Sequence, residues 1–304
     1  MVSALARATL GVCCAFILGL SPAMAEPEKS PEDLKVEALF KENDHLLVYG
    51  PASVTLGDQA QMTLQRGQAF VPPELTKQAF KIFKADSKPE GLMGMVVPGL
   101  PGDEKVEDDW GAVVLVYTPL GFVRDEDAKS WQFDKLLANI RASTEKDNAQ
   151  KRASGRPEQE VTGWVETPHY DANTHRLLWS IRYQEKAKLE SAYVAYNTTA
   201  LGRYGMLQFI FVTEAEKISL RKDLAAQLLN TIHFNPGKRY QDYAEGTDKV
   251  AEIGLAALIG GVAAKKLGLF AVLLGVLVKW GKLIAGAVAG GVLLLKFRKK
   301  KNSA

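Results

Sequence analysis

Two imidazoles and a carboxylate, His169, Asp171 and His175, fall within one short stretch of this chain, with Tyr170 between them. Imidazole nitrogens and carboxylate oxygens bind divalent metals, and the same groups pass protons between one another. The residues between the histidines, Asp171-Ala172-Asn173-Thr174, are turn formers. A hairpin here would bring the histidines and Asp171 together near its tip. The spacing fits no zinc signature, and no H-E-x-x-H occurs in the chain. A turn explains Asp171 and Asn173 without a metal, so the expectation is no bound metal and no cofactor.

Asp125-Glu126-Asp127 is a second acidic cluster. It could supply catalytic carboxylates or hold a divalent ion. It also precedes the helical spacing of Trp131, Phe133, Leu136, Leu137 and Ile140, where a capped, solvated first turn accounts for it. Leu201-Gly202-Arg203-Tyr204-Gly205 could hold an anion through Arg203 and backbone amides. A tight turn needing both glycines explains the same residues. The candidate metal or ligand residues are therefore His169, Asp171, His175, Arg203 and Asp125, with no catalytic residue assigned.

Other chemistries lack their residues. The only cysteines, Cys13 and Cys14, lie near the amino terminus, and there is no G-x-S-x-G, phosphate-loop or dinucleotide glycine pattern. Trp110, Trp131, Trp164 and Trp179 read as core pieces more readily than as a ligand cleft. Asn197-Thr198-Thr199 is a glycosylation sequon of the kind that arises by chance. The residues favour a non-catalytic binding or complex-subunit module over a membrane-tethered hydrolase or metal-dependent enzyme.

The elements that must position these groups are short. Residues 45–71 alternate in apolar runs around Gly50, Gly57 and Gly67, as small strands and turns do. A brief helix follows Pro73, with Leu75, Ala79, Ile82 and Phe83 on one side. LMGMVV and AVVLVYTP read as strands, and Trp131 to Ile140 as a helix. VTGWVETPHY and HRLLWSIRYQE form a hairpin, and AYVAYNTTALGRYGMLQFIFVT a second strand pair. A helix with the stripe Leu220, Leu224, Leu228 and Ile232 follows. The order implies an α+β fold, an antiparallel sheet with helices packed on one face, followed by a C-terminal transmembrane helix.

Both ends of the chain are apolar. Arg7, the run 8–20, Pro22 and Ala23-Met24-Ala25 make a secretory signal peptide over 1–25. A flexible leader over 26–44 and an exported domain over 45–250 follow. After cleavage no cysteine remains, so stability comes from burial alone. From Ala251 onward nine Lys and Arg face one acid, Glu252, a net charge of +8 against +3 for the whole chain. The basicity therefore belongs to the tail, and nucleic acid is not an expected partner.

A spanning helix needs roughly 20 apolar residues. Residues 276–295 supply them, with Lys279 and Lys282 snorkelling from the outer turns and Trp280 at interface depth. A longer span from 267 would hold both lysines near the bilayer centre, at roughly 2.5–3.5 kcal/mol each. Residues 251–275 then form an apolar membrane-proximal helix, and 296–304 a basic cytoplasmic tail. A two-span hairpin is the alternative. Gly286 and Gly290 have the spacing for close helix contact. The membrane is the expected partner, together with an envelope protein, and the oligomeric state is not legible.

Several separate pieces also resemble a family of bacterial membrane-anchored proteins, the domain of unknown function 2167. They are Leu56-Gly57 with Ala60, the run Gly-Phe-Val-Arg-Asp from Gly121, and Gly163-Trp164 with Pro168, Tyr170 and Asp171. Leu177 with Trp179, Tyr196-Asn197, Leu201-Gly202-Arg203-Tyr204-Gly205, and Gly237 with Tyr240 continue the match. Thr247-Asp248-Lys249-Val250-Ala251 and Gly254-Leu255-Ala256-Ala257 extend it into the apolar tail. The resemblance implies a signal peptide, an exported domain and a C-terminal anchor in the inner membrane. It also implies a periplasmic globular part and a cytoplasmic C-terminus, and it carries no catalytic residue.

Overall fold

Pro31 and Pro73 each stand at the first helical position, where a missing N–H costs nothing and the fixed φ suits a helix. They open α1 (Pro31–Glu42) and α2 (Pro73–Ile82). The computed structural model describes residues 31–82, 90–98, 112–153, 155–215 and 218–259. The run 45–71 folds as β1 (Val48–Tyr49), β2 (Ala52–Leu56), β3 (Ala60–Leu64) and β4 (Gln68–Val71). The two expected strands follow as β5 (Leu92–Pro98) and β6 (Val113–Thr118). Then come α3 (Phe133–Ala153) and the long meander β7 (Gln159–Asp171), β8 (Arg176–Glu185), β9 (Lys188–Leu201) and β10 (Met206–Glu214). The chain continues as α4 (Ile218–Asn230), β11 (Ile232–Phe234) and α5 (Leu255–Ile259).

Eight strands pair antiparallel in the order β1-β4-β5-β6-β10-β9-β8-β7, and β11-β3-β2 form a second, small sheet. On one face of the large sheet Val114, Val116, Leu177, Trp179, Ile181 and Ile210 pack with residues of α1, α2, α3 and α5. On the other face Val96, Leu115, Leu207, Phe209 and Phe211 pack with Leu56, Met62, Leu64 and with Leu228 and Leu229 of α4. The molecule is thus three layers: helices, large sheet, and small sheet with one helix. Each fully buried aliphatic side chain contributes about 1.5–3 kcal/mol, and both faces of the large sheet are lined with them.

The α+β class and the antiparallel sheet agree with expectation, but the helices do not share one face. Helix α4 runs straight into β11, which pairs with β3, so it must lie on the small-sheet side. An apolar stripe shows that a helix is buried, not which face of a sheet it covers. Ile232 belongs to β11 rather than to the α4 stripe.

The stretch 31–42 is not a loose leader. Val36 and Phe40, four residues apart, are buried in the helix-side core, which the flanking prolines and charges obscured. Phe133 is 40% exposed, so the buried stripe of α3 begins at Leu136. At its far end Asn148 grips the start of β7, its Nδ2 donating to the Gln159 carbonyl at 2.8 Å and its Oδ1 accepting from the Gln159 amide at 2.9 Å.

The folded body also runs past residue 250, because Leu255, Leu258 and Ile259 are buried in the same core. No helix among the described residues is long and apolar enough to cross a membrane. The expected signal peptide, transmembrane span and basic tail lie outside the described residues, as do Phe83 and Trp110. Trp179 is a core residue, and Trp131 and Trp164 are partly buried against the helix-side core. Asn197 of the sequon is buried within β9, where no glycan could be attached to the folded chain.

Candidate functional site

The turn after β6 brings the chemistry-bearing residues to one end of the helix-side core. Gly121 has φ +92° and sits so close to the Lys249 carbonyl that a Cβ would approach it to 2.5 Å, which only glycine permits. Phe122 then pairs with Val250: its amide donates to the Lys249 carbonyl and its own carbonyl accepts from Ala251, each at 2.8 Å. Two segments far apart in sequence become neighbours, and Asp125 and Asp127 project from the first of them.

Asp127 accepts from the amides of Leu255 and Ala256 at 3.1 and 2.8 Å. It satisfies two backbone donors at the start of α5 that have no partner within the helix. Gly254 leaves the room, since a Cβ there would stand 2.8 Å from Asp127 Oδ2. The acidic trio is therefore not the first turn of α3. It leads into a separate 3-10 turn over Glu126–Ser130, and one of its members caps a helix 128 residues downstream.

Asp125 Oδ2 accepts from the Tyr170 hydroxyl at 2.7 Å. His175 Nδ1 lies 3.1 Å from the same hydroxyl oxygen. A phenol has one proton to give, and it goes to the carboxylate. Nδ1 of a neutral His175 therefore carries its ring proton and donates to Tyr170. Sequence separation hides this alignment: Tyr170 is the last residue but one of β7, while His175, at φ +51°, closes the turn into β8. The imidazole stacks on Tyr240 with ring centroids 4.1 Å apart, and the Tyr240 hydroxyl donates to the Val123 carbonyl at 2.8 Å. Phe122 stacks on Tyr243 and tilts against Tyr240.

Burial dominates the electrostatics. It lowers the His175 pKa, against the pull of Asp125 and Asp171. It also raises that of Tyr170, with the Asp125 hydrogen bond adding to the rise. A neutral imidazole and an un-ionised phenol bonded to a carboxylate hold a shape; neither is an activated nucleophile.

The remaining expected site residues go elsewhere. Asp171 accepts from the Asn173 amide at 2.9 Å and the Thr174 hydroxyl at 2.7 Å. These bonds, the hydroxyl first, lower its pKa, and they are what a hairpin turn requires. His169 is exposed and pairs with Leu178 in register, so it does not join Tyr170 and His175. Arg203 grips Asp248 with two bonds, Nε to Oδ2 at 2.7 Å and Nη2 to Oδ1 at 2.9 Å. Asp248 also accepts from the Ala244 amide at 2.7 Å. The guanidinium is engaged, and Gly202 and Gly205 serve the turn: added Cβ atoms would lie 2.6 Å from the Phe234 ring and 2.1 Å from the Thr118 carbonyl. Among the described residues no three His, Cys, Asp or Glu side chains come together as a metal site would need.

Sequence reasoning passed over the partners: Tyr170, Tyr240 and Asp248 as hydrogen-bonding groups, and the capping role of Asp127. The one signal for Tyr170, Tyr240 and Asp248 was membership of the segments that carry the family resemblance; Asp127 lies outside them. Sequence reasoning also passed over a polar row on the sheet beside Tyr170. Across β8 from Tyr170 stands Leu177, then Thr199 on β9 and Gln208 on β10. Thr199 Oγ1 and Gln208 Oε1 are buried with no hydrogen-bond partner among the described residues, as are Asn197 Oδ1 and Thr118 Oγ1 two residues along their strands.

A family model described as "Protein of unknown function (DUF2167)" matches residues 48–289. No curated protein matches the chain. Among solved structures it is similar to cyanobacterial PsbP (CyanoP) from Synechocystis sp. PCC 6803, at 9% identity and a TM-score of 0.34, covering 59% of this chain and 88% of that one. It is also similar to the Ran-binding protein Mog1p of Saccharomyces cerevisiae, at 12% identity and a TM-score of 0.32, covering 65% of this chain and 100% of that one. Likeness at that level carries no inference about activity.

Proposed function

The chain belongs to the DUF2167 family, and on that footing we propose that it is a membrane-anchored envelope protein acting as a non-catalytic binding or complex-subunit module. The observation that carries this reading is the clamp at the root of the apolar tail. Asp127 caps α5, Leu255, Leu258 and Ile259 sit in the domain core, and Phe122 pairs with Val250. A tail that enters the bilayer at 276–295 would then leave from a fixed point on a rigid body, as suits a module held at a set distance from the membrane. The same cluster draws no support as an enzyme: Asp125, Tyr170, His175 and Arg203 are bonded to one another or to structural partners. The globular part lies in the periplasm in this reading, the basic tip in the cytoplasm, and the partners are the membrane and an envelope protein.

Reporter fusions after Ala304 and carbonate extraction of membranes test it. Cytoplasmic reporter activity and retention in carbonate-washed membranes are expected. A periplasmic reporter signal, or a mature chain released by carbonate, overturns the anchored topology. Replacing residues 276–304 with an unrelated anchor separates the two roles. A module whose task lies in its globular part keeps its crosslinked partners, whereas their loss assigns the partner to the tail.

A further inference from the structure

One segment of the chain holds α5 in place. Asp127, in the 3-10 turn Glu126–Ser130, caps the helix, and α5 packs on both that turn and α3. Ser130 Oγ donates to the Asp127 carbonyl at 3.1 Å and closes the turn. The run 129–135, Lys129-Ser130-Trp131-Gln132-Phe133-Asp134-Lys135, then leads into the first turn of α3. Trp131 roots this run by packing partly buried against the helix-side core, while Lys129, Gln132, Phe133 and Lys135 are exposed. Five large apolar side chains stand exposed among the described residues: Leu34, Leu46, Val48, Phe133 and Val165. Scattered singly, such residues need no explanation. Phe133 differs from the other four because it lies in the run that follows the α5 cap, with a lysine on either side of it.

The sequence beyond α5 gives that position its meaning. Ile259 is buried in the core, and the span is expected from 276. Between them, residues 260–275 hold only two charged side chains, Lys265 and Lys266. Linkers that stand in water are rich in charge, serine and proline. A stretch as apolar as 260–275 is not such a spacer; it gains by leaving water for a bilayer interface. In an anchored chain the end of α5 therefore stands close to the membrane, and the surface beside it meets the headgroups.

An aromatic ring between lysines has the composition that suits this depth. The ring enters the headgroup layer, and the ammonium groups stay among the lipid phosphates at the ends of their apolar stems. Asp134 is the only acid in the run, so anionic lipids meet a net positive segment. We propose that the run 129–135 is a membrane-surface contact, with Phe133 inserted among the headgroups of an anionic bilayer and the α5 side of the domain held against it. The inference rests on the anchored reading above, and the measurements below separate its failure from that of the anchor.

Single-cysteine labelling of the full chain tests the assignment. In a Cys13→Ser, Cys14→Ser background, Phe133→Cys and the controls Leu34→Cys and Val165→Cys each carry an environment-sensitive nitrobenzoxadiazole label. All three positions are exposed, so the unfolding midpoints should match the parent. After reconstitution in vesicles of phosphatidylethanolamine and phosphatidylglycerol, nitroxide lipids should quench the label at 133 and spare those at 34 and 165. Emission should shift to the blue at 133 alone. Lys129→Gln with Lys135→Gln should reduce the quenching, and so should phosphatidylcholine in place of phosphatidylglycerol. A label at 133 as open to water as the one at 34 overturns the proposal. Shielding in native membranes but not in pure lipid vesicles overturns it too, and gives the surface to a protein partner. Retention in carbonate with an unquenched label strikes this inference and leaves the anchor standing, whereas release by carbonate strikes both.

Discussion

The clamp on the helix side and the outer face of the small sheet use polar side chains in opposite ways. At the clamp Asp125, Asp127, Tyr170 and His175 all bond within the protein, as do Asp171, Arg203 and Asp248 in the neighbouring turns. On the outer face, Ser53, Thr55, Gln61, Thr63 and His233 bond to nothing described. Histidine, aspartate and arginine are the residue types that suggest chemistry in a sequence, yet here they hold segments together. Serine, threonine and glutamine suggest nothing by themselves, and here they form an outward face left to solvent. Residue type ranks a site poorly until its hydrogen bonds have been counted.

That contrast can be broken in several ways, and the largest effect should come at the clamp's apolar seat. Leu255→Ala removes a side chain with 0% exposure and should cost about 2–5 kcal/mol, read by denaturant unfolding. A loss under one kilocalorie would mean that α5 does not belong to the folded body. Asp127→Ala leaves two amides of α5 without their cap and should cost about 1 kcal/mol. Hydrogen exchange of Leu255 and Ala256 should quicken while that of β9 stays slow. Thr199→Val works in the other direction. It removes a buried hydroxyl that has no partner among the described residues and should raise stability by about 1 kcal/mol; a loss instead would show that the hydroxyl is satisfied in solution.

Acid should act on the clamp side and also at the corner of the small sheet, where the Lys238 ammonium lowers the Asp58 pKa. The Arg239 guanidinium holds the Asp242 pKa down from 3.8 to about 2, and Arg203 lowers that of Asp248 in the same sense. A carboxylate with a depressed folded-state pKa contributes its full stability above the unfolded value and loses it as the pH falls through the folded one. The unfolding midpoint should therefore decline from just below pH 4 towards about 2. Asp242→Asn should flatten part of that decline. The smallest effect is expected on the outer face of the small sheet, where Ser53→Ala with Thr63→Ala should shift stability by less than about 0.5 kcal/mol. A larger shift would mean that these side chains hold the sheet together after all.

Legibility followed the range of the interactions. The β7–β8 and β9–β10 hairpins were readable because turn residues and alternation are local, and so was the glycine need of the Gly202–Gly205 turn. The role of Asp125 and Asp127 was not, because their partners are 45 and 128 residues away. The acidic trio looked like the start of the nearest helix, and it caps a distant one. The helix over 31–42 was missed for a related reason: Val36 and Phe40 are too few to stand out until α2 is there to receive them. The face chosen by α4 was invisible because its stripe fits either side of the sheet equally well.

By itself the sequence determined most of the strands and helices between 48 and 230, where the turns need glycine, that residues 251–304 are apolar and basic, and which family the chain belongs to. These follow from side-chain periodicity, backbone sterics and composition, all of which act over a few residues. Only the tertiary structure decided that Tyr170 lies between Asp125 and His175, that Asp127 caps α5, and that Ser53, Thr55, Gln61, Thr63 and His233 share one open face. Those outcomes depend on strand order and register, which bring distant residues within hydrogen-bonding range and leave no trace in local pattern.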